Sequence, residues 1–559
     1  MHLNLKTHYS LESLNRPEAL VKKAKELGYT SVGISDSSLS GTVKFVKACQ
    51  KYGLKPILGY TGDEIYIAKN KRDWQELLDA YSTERLPEDV IYVIGSPFCK
   101  LANKIVESYY PFKIADNAYE IARNYVNSFG KPSHVGLAVS PYEVDYCEAL
   151  NELMADIAEE TKLPLVGVSD VYYLNQEDAK DHRIQICHRA KKHVDQKEEM
   201  SDFHRRFFEH DHYYLDKLDL ATSKIEALVG EYEILSEPVL PHFGENPAED
   251  LRQECISGWR KITKDMDSAD KDVYAARIRR ELGVINEAGF SSYFLIVSDI
   301  IRWCNNQGWM TGPGRGSVGG SLVAYLTGIT RIDPIKYGLL FERFYDKSRA
   351  EARQLPDIDS DFPAEKREFV IDYIKEKYGH DCVAQMVTFG TLKGASAIKS
   401  VLRYNDVCSS DEMNTITSRF PEIGKYTDSM EMVGEKSFIR YILDYMPDLL
   451  EDWVRIEDDE IVGDYAEYFK QAIRLEGTIV DKGKHACAVI ISNDPLRTRC
   501  PIARDKHDLD IVEFEGEDTE AAGLLKLDVL GLRSLDRLML TNDLLRKRNW
   551  KSSTSISKC

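Results

Sequence analysis

Three aspartates stand at every second position of the segment 355–362, which reads L-P-D-I-D-S-D-F. Alternate side chains of a strand share a face, so Asp357, Asp359 and Asp361 are predicted to lie close together. Carboxylates at that spacing repel one another unless cations lie between them. Hard oxygen ligands suit Mg²⁺, and two such ions can clamp the attacking and leaving oxygens of a phosphoryl transfer. The alternative is the exposed polar face of an edge strand, or an acidic turn.

A glycine-rich segment precedes these carboxylates by about 40 residues and reads G-P-G-R-G-S-V-G-G-S at 312–321. It runs straight into the apolar, helical stretch Leu322–Leu326. Glycines let backbone amides approach phosphate oxygens, and the start of a helix adds its dipole to such an anion site. Arg315 can add charge-assisted hydrogen bonds. The combination favours a phosphate-binding turn over a simple turn.

Two further segments place charges in or beside apolar runs. In G-L-L-K-L-D-V-L-G-L at 523–532, Lys526 and Asp528 share one face of a predicted strand. They fit a ligand site, or a buried ion pair that stabilises a sheet. In G-K-H-A at 483–486, Lys484 and His485 could face a triphosphate, or could be exposed charges at the end of a loop.

The elements that must position these residues follow two different patterns. Short apolar strands alternate with helical periods at the start of the chain, and the pattern returns in the predicted helix Ala149–Thr161 and strand Leu165–Val168. Such βα units predict one α/β barrel-like domain over the first 200 or so residues. A second domain is predicted to start near residue 240, with charged helices over Glu249–Phe290.

The early units are predicted as strands at Leu3–Lys6, Ser31–Ser35 and Pro56–Leu58, with helices at Arg16–Leu27 and Val43–Tyr52. Residues 405–474 are acidic, aromatic and helical, which indicates an inserted helical subdomain. The polar, aperiodic residues 551–559 predict a disordered tail.

Composition sets limits on the class of protein. The 559 residues carry a net charge of −19, so nucleic-acid binding requires a localised basic groove, and residues 301–400 do hold 14 Lys and Arg against 12 Asp and Glu. No run of about 18 apolar residues is present, and Met1 is not followed by a basic and then apolar leader. The eleven cysteines show no zinc spacing. We therefore expect a cytoplasmic protein that has no membrane partner.

Six motifs, in the same order and spacing, resemble those of the alpha subunit of bacterial DNA polymerase III. They are G-P-G-R-G-S at 312–317, L-L-F-E-R-F at 339–344, L-P-D-I-D-S-D-F at 355–362, T-F-G-T at 388–391, G-K-H-A at 483–486 and L-K-L-D-V-L-G-L at 525–532. The N-terminal segments 2–10, 33–36 and 55–59 resemble the polymerase-and-histidinol-phosphatase (PHP) domain of that family.

The resemblance implies an α/β and α+β multidomain fold. A PHP-type distorted (βα) barrel over 1–240 would be followed by a palm of the beta-type nucleotidyltransferase class, in two parts, 241–404 and 475–540. A helical thumb would be inserted at 405–474, and 541–559 would form a truncated or disordered tail.

The resemblance also implies a role for each site residue. Asp357, Asp359 and Asp528 would be the catalytic carboxylates that hold two Mg²⁺ ions, with Asp361 only a neighbour. The nucleotide and phosphate ligands would be Arg315, Gly316, Ser317, Arg343, Lys526, Lys484 and His485. The reaction would be the template-directed addition of dNTPs to the 3′ hydroxyl of a primer on primer-template DNA.

The PHP segment departs from the family pattern. Members with an active PHP site open with His-x-His ligands, whereas Asn4 and Lys6 stand here, and Ser37 and Tyr172 replace later histidines. Loss of imidazoles and an ammonium in their place should abolish metal affinity. We therefore predict a structural PHP domain without bound metal or phosphoesterase activity, in which Asp36, Glu64, Asp170 and His182 are remnants.

A second departure concerns the C-terminal side, because family members continue past the third aspartate into fingers and further domains. We expect a second polypeptide to supply the fingers and C-terminal domains, and through them contact with a sliding clamp. The alternative functions are a catalytically silent replication scaffold and a PHP phosphoesterase.

Overall fold

The computed structural model describes residues 1–129, 134–241, 243–264, 266–346, 348–349, 356 and 358–547. Within these residues the chain forms two compact units. Unit 1 comprises residues 1–233 and 388–483, and unit 2 comprises residues 234–387 and the described residues from 484 onward. Each unit is therefore built from two separate stretches of chain.

Eighteen strands lie within the described residues. In chain order they are β1 (Asn4–Leu5), β2 (Ser31–Ile34), β3 (Lys55–Thr61), β4 (Ile65–Ile67), β5 (Ile91–Ile94), β6 (Val106–Tyr109), β7 (Phe112–Ile114), β8 (Val135–Val139), β9 (Leu165–Gly167), β10 (Asp170–Val171), β11 (Ser360–Pro363), β12 (Val383–Thr391), β13 (Arg455–Glu457), β14 (Glu460–Val462), β15 (Ile479–Ile491), β16 (Ile502–Arg504), β17 (Asp510–Val512) and β18 (Leu525–Leu532).

The same part of the chain contains α-helices in both units. In chain order they are α1 (Pro17–Glu26), α2 (Thr42–Tyr52), α3 (Lys71–Ser82), α4 (Lys100–Ile105), α5 (Ala118–Asn127), α6 (Asp145–Thr161), α7 (Ala179–Ala190), α8 (Asp202–Glu209), α9 (Ser223–Leu228), α10 (Pro247–Ile262), α11 (Ser268–Glu287), α12 (Ser291–Asn306), α13 (Leu322–Leu326), α14 (Arg367–Tyr378), α15 (Ala395–Tyr404), α16 (Ser410–Ser418), α17 (Thr427–Val433), α18 (Phe438–Tyr445), α19 (Ala466–Leu475), α20 (Gly516–Ala521) and α21 (Arg533–Lys547).

The sheet of unit 1 has eight strands in the order β10-β1-β2-β3-β4-β5-β8-β9. Its neighbouring strands run parallel except at β4, which is antiparallel to both β3 and β5. The two edge strands, β9 and β10, are separated in sequence only by Val168 and Ser169. The sheet must therefore curl so that its edges approach each other, which gives a half-barrel of mixed α/β type.

The second stretch of unit 1 packs on the barrel side through a shared apolar core. Buried residues such as Tyr173 and Phe207 belong to the same cluster as Ile398, Phe438 and Phe469 from residues 388–483. Polar contacts add to this packing, since the Arg474 guanidinium donates Nε and Nη2 hydrogen bonds of 2.5 and 2.9 Å to the buried Asp181 carboxylate. Unit 1 is thus held together by contacts between residues far apart in sequence.

The second sheet has six strands in the order β11-β18-β15-β12-β17-β16. Strand β18 lies parallel to β11 and antiparallel to β15. Its apolar residues Leu525, Leu527 and Val529 join the core of unit 2, which also contains most of α12. The polar residues at alternate positions of β18 therefore face away from that core, as the period of a strand requires.

Several predicted elements are confirmed, with ends that differ by one or two residues. Others were wrong in detail. The aspartate-bearing strand begins only at Ser360, so Asp359 precedes it, and Asp357 lies outside the described residues. The G-K-H-A segment lies inside the long strand β15 and is not a loop end. The helical stretch 405–474 also contains the hairpin β13–β14. Residues 551–559 lie outside the described part of the chain.

Among the described residues, no single helix combines the length and the apolarity needed to cross a bilayer. Helices α11 and α12 meet both criteria only as a pair, and they are bent by 111° at the break between them.

Candidate functional site

Two of the predicted catalytic carboxylates are neighbours across the β11–β18 pairing. Ser360 is the register partner of Val529 in this parallel pair, so Asp359 and Asp528 each stand one residue earlier at the same level. Adjacent strands lie about 4.8 Å apart, which puts the two backbones within reach of one shared cation. The side chain of Asp359 is 30% exposed and that of Asp528 is 14% exposed. The pair is thus accessible to a ligand from solution.

Arg315 connects the aspartate segment with the glycine-rich turn. Its Nε lies 3.5 Å from Oδ2 of Asp359 and 3.6 Å from Oδ1 of Asp361. Burial raises the pKa of Asp361, while the charge of Arg315 opposes that rise. Asp361 Oδ1 is buried and accepts no hydrogen bond from the described residues. The guanidinium therefore supplies positive charge at the position where the carboxylates converge.

The glycine-rich turn lies directly against these aspartates. The Gly312 amide donates to the Asp361 carbonyl at 2.9 Å, and a Cβ at position 312 would lie only 2.6 Å from the Asp361 Cβ. Gly316 has a φ of +66°, and a Cβ there would lie 3.8 Å from Asp359 Oδ2. Only glycine fits Gly312 without a shift of the strand. The predicted phosphate-binding turn and the predicted carboxylates thus form one site.

Sequence reasoning missed the pair that holds the end of this turn. Glu281 of α11 is fully buried, and its carboxylate accepts hydrogen bonds from the Ser321 hydroxyl and from the Leu322 and Val323 amides at 2.9–3.1 Å. Arg277 donates to Glu281 at 2.5 Å and to the Gly320 carbonyl at 2.8 Å. Burial raises the pKa of Glu281. The only sequence signal was an Arg and a Glu four residues apart in a charged helix.

The remaining basic candidates are placed at different distances from the aspartates. Lys526 Nζ donates to Asp528 Oδ2 at 2.8 Å. Lys484 forms an ion pair of 3.1 Å with Asp505, and His485 Nδ1 accepts from the Ala488 amide at 2.9 Å. Because Ala488 is the register partner of Asp528, the segment around His485 leads along β15 toward the carboxylates. Lys526 is in the site, whereas Lys484 is held by an acid of its own.

Two other predicted ligands lie on the exposed side of the turn. Ser317 is exposed within the 3-10 turn Gly316–Gly320. Arg343 is exposed at the end of the turn Phe341–Arg343. The two turns are in contact, since a Cβ at Gly320 would lie 2.4 Å from the Leu340 carbonyl oxygen. Both side chains are therefore carried by one packed substructure that borders the site.

The far end of β11 is fixed by an aspartate that sequence reasoning also missed. Asp536 of α21 accepts hydrogen bonds from the Ala364 and Glu365 amides at 3.0 and 3.3 Å. These bonds satisfy the amides just after β11, so the strand that follows Asp359 is anchored at its end.

A second group of predicted residues lies at the ends of the barrel strands in unit 1. The Asp36 carboxylate accepts from the Thr7 amide at 2.6 Å and from the Thr7 hydroxyl. Lys6 Nζ donates to the Ser35 carbonyl and to Thr61 Oγ1. Burial raises the pKa of Asp36 to about 7 and lowers the pKa of Lys6.

The centre of this group is occupied by a buried arginine. Arg206 is 1% exposed and donates hydrogen bonds of 2.8 Å to Asp170 Oδ2 and to the Tyr172 hydroxyl. Its guanidinium carbon lies 4.3–5.1 Å from the centroids of five aromatic rings, those of Phe98, Tyr172, Phe203, Phe207 and Tyr213. The cavity beside it measures about 10 Å³, room for roughly one water molecule.

The other two remnants are also taken up by internal hydrogen bonds. Glu64 accepts from the Gly95 and Leu101 amides at 3.0 and 2.8 Å, and burial raises its pKa to about 7. His182 Nε2 lies 2.7 Å from the Glu12 carbonyl oxygen, and burial lowers its pKa to about 3. Asn4 donates to Asp170. The cationic side chains of Lys6 and Arg206 and the amide of Asn4 lie among these carboxylates and hydrogen-bond with this group. This set of side chains does not fit a cluster of divalent metal ions.

The carboxylates of unit 2, by contrast, fit a divalent cation. Asp359 and Asp528 offer hard oxygen ligands on adjacent strands, the donor type that Mg²⁺ prefers. Within the described residues no group of three or more His, Cys, Asp or Glu could hold a metal ion. Asp357, the third predicted ligand, lies outside those residues.

Two family models match successive parts of the chain. Residues 249–531 match the family described as the bacterial DNA polymerase III alpha NTPase domain, and residues 2–217 match the PHP domain. The chain is 31% identical to the DNA polymerase III subunit alpha of Aquifex aeolicus, with 98% of this chain and 52% of the relative covered. It is 29% identical to the subunits of Pseudomonas aeruginosa and Bacillus subtilis, with 99% and 98% of this chain and 49% of each relative covered. The chain thus spans about half the length of these curated relatives.

Proposed function

This chain belongs to the bacterial DNA polymerase III alpha family, and from that premise we propose that unit 2 carries the nucleotidyl-transfer centre of a replicative DNA-directed DNA polymerase. The observation that carries the proposal is the convergence of three sequence motifs on one site. Asp359 and Asp528 are register neighbours, and Arg315 of the glycine-rich turn lies beside both Asp359 and Asp361. Template-directed addition of a dNTP to a primer requires carboxylates and a phosphate site next to each other.

In this proposal Asp357, Asp359 and Asp528 hold two Mg²⁺ ions. Bound there, such ions would supply Lewis-acid chemistry for the attack of a primer 3′ hydroxyl and would offset charge on the transferred phosphoryl group. Asp361 supports the site from behind, because its side chain is only 7% exposed and its backbone holds the glycine-rich turn. Burial of the strand keeps the carboxylates fixed, so they need no rearrangement as charge develops.

The basic side chains then divide into two groups. Arg315 and Lys526 neutralise Asp359 and Asp528 directly and are near enough to contact a triphosphate beside them. Gly316 and Ser317 offer backbone and hydroxyl donors at the turn. Arg315, Arg343 and Lys526 are proposed to offset charge on the β- and γ-phosphates as pyrophosphate leaves, and Lys484 and His485 to face the triphosphate.

The finer architecture is proposed with the same boundaries as the sequence suggested. Residues 241–404 and 475–540 would form a palm of the beta-type nucleotidyltransferase class, residues 405–474 the thumb, and residues 1–240 a structural PHP domain without bound metal.

Metal binding tests the centre without requiring a complete polymerase. We expect Mn²⁺, followed by electron paramagnetic resonance, to bind the chain, and Asp359→Asn and Asp528→Asn each to weaken that binding by more than about 100-fold, since each removes an anionic ligand. Glu365→Gln serves as a matched control, because Glu365 is an exposed acid six residues from Asp359. Equal Mn²⁺ affinity in wild type and both Asp variants would refute the proposed centre.

Primer extension tests the reaction itself. The assay uses Mg²⁺, primer-template DNA and dNTPs, with and without a polypeptide that supplies the fingers region of a relative. Extension that disappears in Asp359→Asn supports the proposal. No extension under either condition, together with intact DNA binding, would favour a catalytically silent scaffold.

A further inference from the structure

Four aromatic rings of unit 2, at residues that were given no role above, pack against one another in a row. Trp303 of α12 stacks on Tyr373 of α14, with ring centroids 4.3 Å apart and an angle of 10° between the planes. Trp309 meets the edge of Trp303 at 5.3 Å, and Phe369 follows Trp309 at 5.9 Å. We refer to these four residues as the aromatic ladder.

The outer end of the ladder is exposed, whereas the inner end rests on the core. Trp303, Trp309 and Tyr373 are partly buried against the core of unit 2, while Phe369 is 54% exposed. Complete burial of a Phe side chain would stabilise the folded state by removing apolar surface from water. The fold leaves much of that contribution unused at Phe369, although a rigid aromatic neighbour lies beside it. An exposed ring that continues a packed ladder is a surface ready to stack on another flat group.

Two lysines lie over the rings of the ladder. Lys366 Nζ is 5.7 Å from the centroids of both Trp309 and Phe369, and it forms no ion pair with any residue that the structure describes. Lys377 Nζ is 5.8 Å from the centroid of Tyr373, but it is paired with Asp299 at 2.5 Å. Lys366 is therefore the lysine available to an anion at the exposed end of the ladder.

The ladder is connected to the proposed catalytic strand by a short piece of chain. Phe369 follows Asp361 by eight residues, a path of at most about 28 Å even if fully extended. Trp309 precedes Gly312 by three residues, and the Gly312 amide is bonded to Asp361. The ladder and the proposed catalytic strand therefore belong to the same unit, with Phe369 no more than about 28 Å from Asp361.

We propose that the aromatic ladder binds single-stranded DNA, with unpaired bases stacked on Phe369 and Trp309 and a phosphate paired with Lys366. The assignment rests on the proposed polymerase function, because a template-directed enzyme must hold an unpaired template strand close to its active centre. Base–aromatic stacking suits that task, since every base has a flat face and the contact tolerates any sequence. Helix α14 carries Arg367, Lys375 and Lys377 against Glu368, Asp372 and Glu376, so the rings rather than net charge must provide most of the affinity.

The test is fluorescence anisotropy with a labelled oligothymidylate of about 12 nucleotides, within the site sizes of stacking proteins. The whole chain is used, in EDTA, so that the carboxylate site contributes no metal. We expect Phe369→Ala to weaken binding about 5- to 150-fold, the equivalent of about 1–3 kcal/mol for one stacked base. Phe369→Trp should retain the affinity. With one phosphate neutralised by Lys366, the logarithm of affinity should fall with the logarithm of salt at a slope of about −0.7.

The matched control is Tyr337→Ala. Tyr337 is an exposed aromatic residue of the same unit, with Lys336 Nζ 5.8 Å from its ring centroid, but it is not part of the ladder. Its loss should leave oligonucleotide binding unchanged, and a duplex of equal length should bind at least about tenfold more weakly because its bases are already stacked.

The outcomes separate this proposal from the one on which it rests. Asp359→Asn should not change oligonucleotide binding in EDTA, and Phe369→Ala should not change Mn²⁺ binding. No measurable oligonucleotide binding, or equal affinity in wild type and Phe369→Ala, would overturn the ladder proposal. This would hold even if the ladder were found to bind a protein. Mn²⁺ affinity that is unchanged by Asp359→Asn and Asp528→Asn, with oligonucleotide binding still dependent on Phe369, would overturn only the catalytic centre.

Discussion

Replacement of Arg206 by Met tests whether this buried arginine stabilises the barrel of unit 1. Met keeps much of the length and apolar surface of the arginine stem, so contacts with the surrounding rings are largely retained. The change removes the guanidinium that donates to Asp170 and Tyr172 at 2.8 Å. Asp170, whose side chain is 11% exposed, would then be left with Asn4 as its side-chain donor.

The expected magnitude follows from this stranded carboxylate. Loss of one partner of a buried ion pair costs about 3–5 kcal/mol, because the other charge remains desolvated and uncompensated. The additional change Asp170→Asn removes that charge, so the double variant should recover a large part of the loss. Arg205→Met is the matched control, since the neighbouring Arg205 forms surface ion pairs with Glu198 and Glu209, which are worth about 0–1 kcal/mol.

Hydrogen exchange followed by mass spectrometry is the appropriate measurement, because unfolding of a chain with two units does not give one well-defined free energy. Peptides that cover β1, β2 and β10 should exchange faster in Arg206→Met, by an amount that matches the loss of about 3–5 kcal/mol in opening free energy. The reasoning is refuted if these peptides exchange no faster in Arg206→Met than in Arg205→Met.

Three further predictions follow from buried groups near the two sites. Burial raises the folded-state pKa of Asp36 and of Glu64 to about 7, so below that pH the folded state binds more protons than the unfolded state. The free energy of unfolding of unit 1 should therefore fall by about 1.4 kcal/mol per carboxyl as the pH rises from about 6 to 8. Asp36→Asn should abolish the contribution of one carboxyl in hydrogen exchange measured at both pH values. Glu281→Gln should destabilise unit 2 by about 1–3 kcal/mol in hydrogen exchange of α13 peptides, because an amide cannot accept from all the donors that converge there. Glu287→Gln, on the exposed side of α11, should change the stability of unit 2 by less than about 0.5 kcal/mol. Equal effects of the two changes would contradict the role given to Glu281. Gly312→Ala should weaken Mn²⁺ binding, because its methyl group would displace Asp361. Gly319→Ala should leave Mn²⁺ binding unchanged, because its methyl group would meet no atom within 4 Å. Weaker Mn²⁺ binding in Gly319→Ala than in Gly312→Ala would show that the turn does not position the carboxylates.

Much of the fold was predictable because it rests on local pattern. Alternating apolar strands and helical periods predict the βα units of the barrel, and the structure places β2 and α2 within a residue or two of the predicted ends. The start of the aspartate strand was not predictable, because alternation extends equally well before and after Ser360. That Lys484 lies inside β15 was not predictable either, because this strand forms by pairing with strands distant in sequence, and no local pattern encodes that pairing.

The candidate site was predictable where motifs carry the chemistry and not where packing supports it. Asp359, Asp528 and Arg315 stand in recognisable motifs, and the structure brings Arg315 to Asp359 and places Asp528 beside that segment. Glu281 and Arg206 belong to charged helical stretches that look like solvent-exposed surface in sequence. Their burial arises only when segments far apart in the chain are assembled, so sequence periodicity gave no sign of either.

The interleaved construction of unit 1 also has a consequence for the order of events during synthesis. Residues 1–233 emerge from the ribosome first, but the apolar cluster around Tyr173 and Phe207 is completed by residues 388–483. At about 5–20 residues per second, synthesis of the roughly 250 residues from 234 to 483 delays that completion by roughly 12–50 s. During this interval the apolar cluster of the nascent chain is incomplete, so chains stalled before residue 388 should be cut faster by protease than chains stalled well after residue 483.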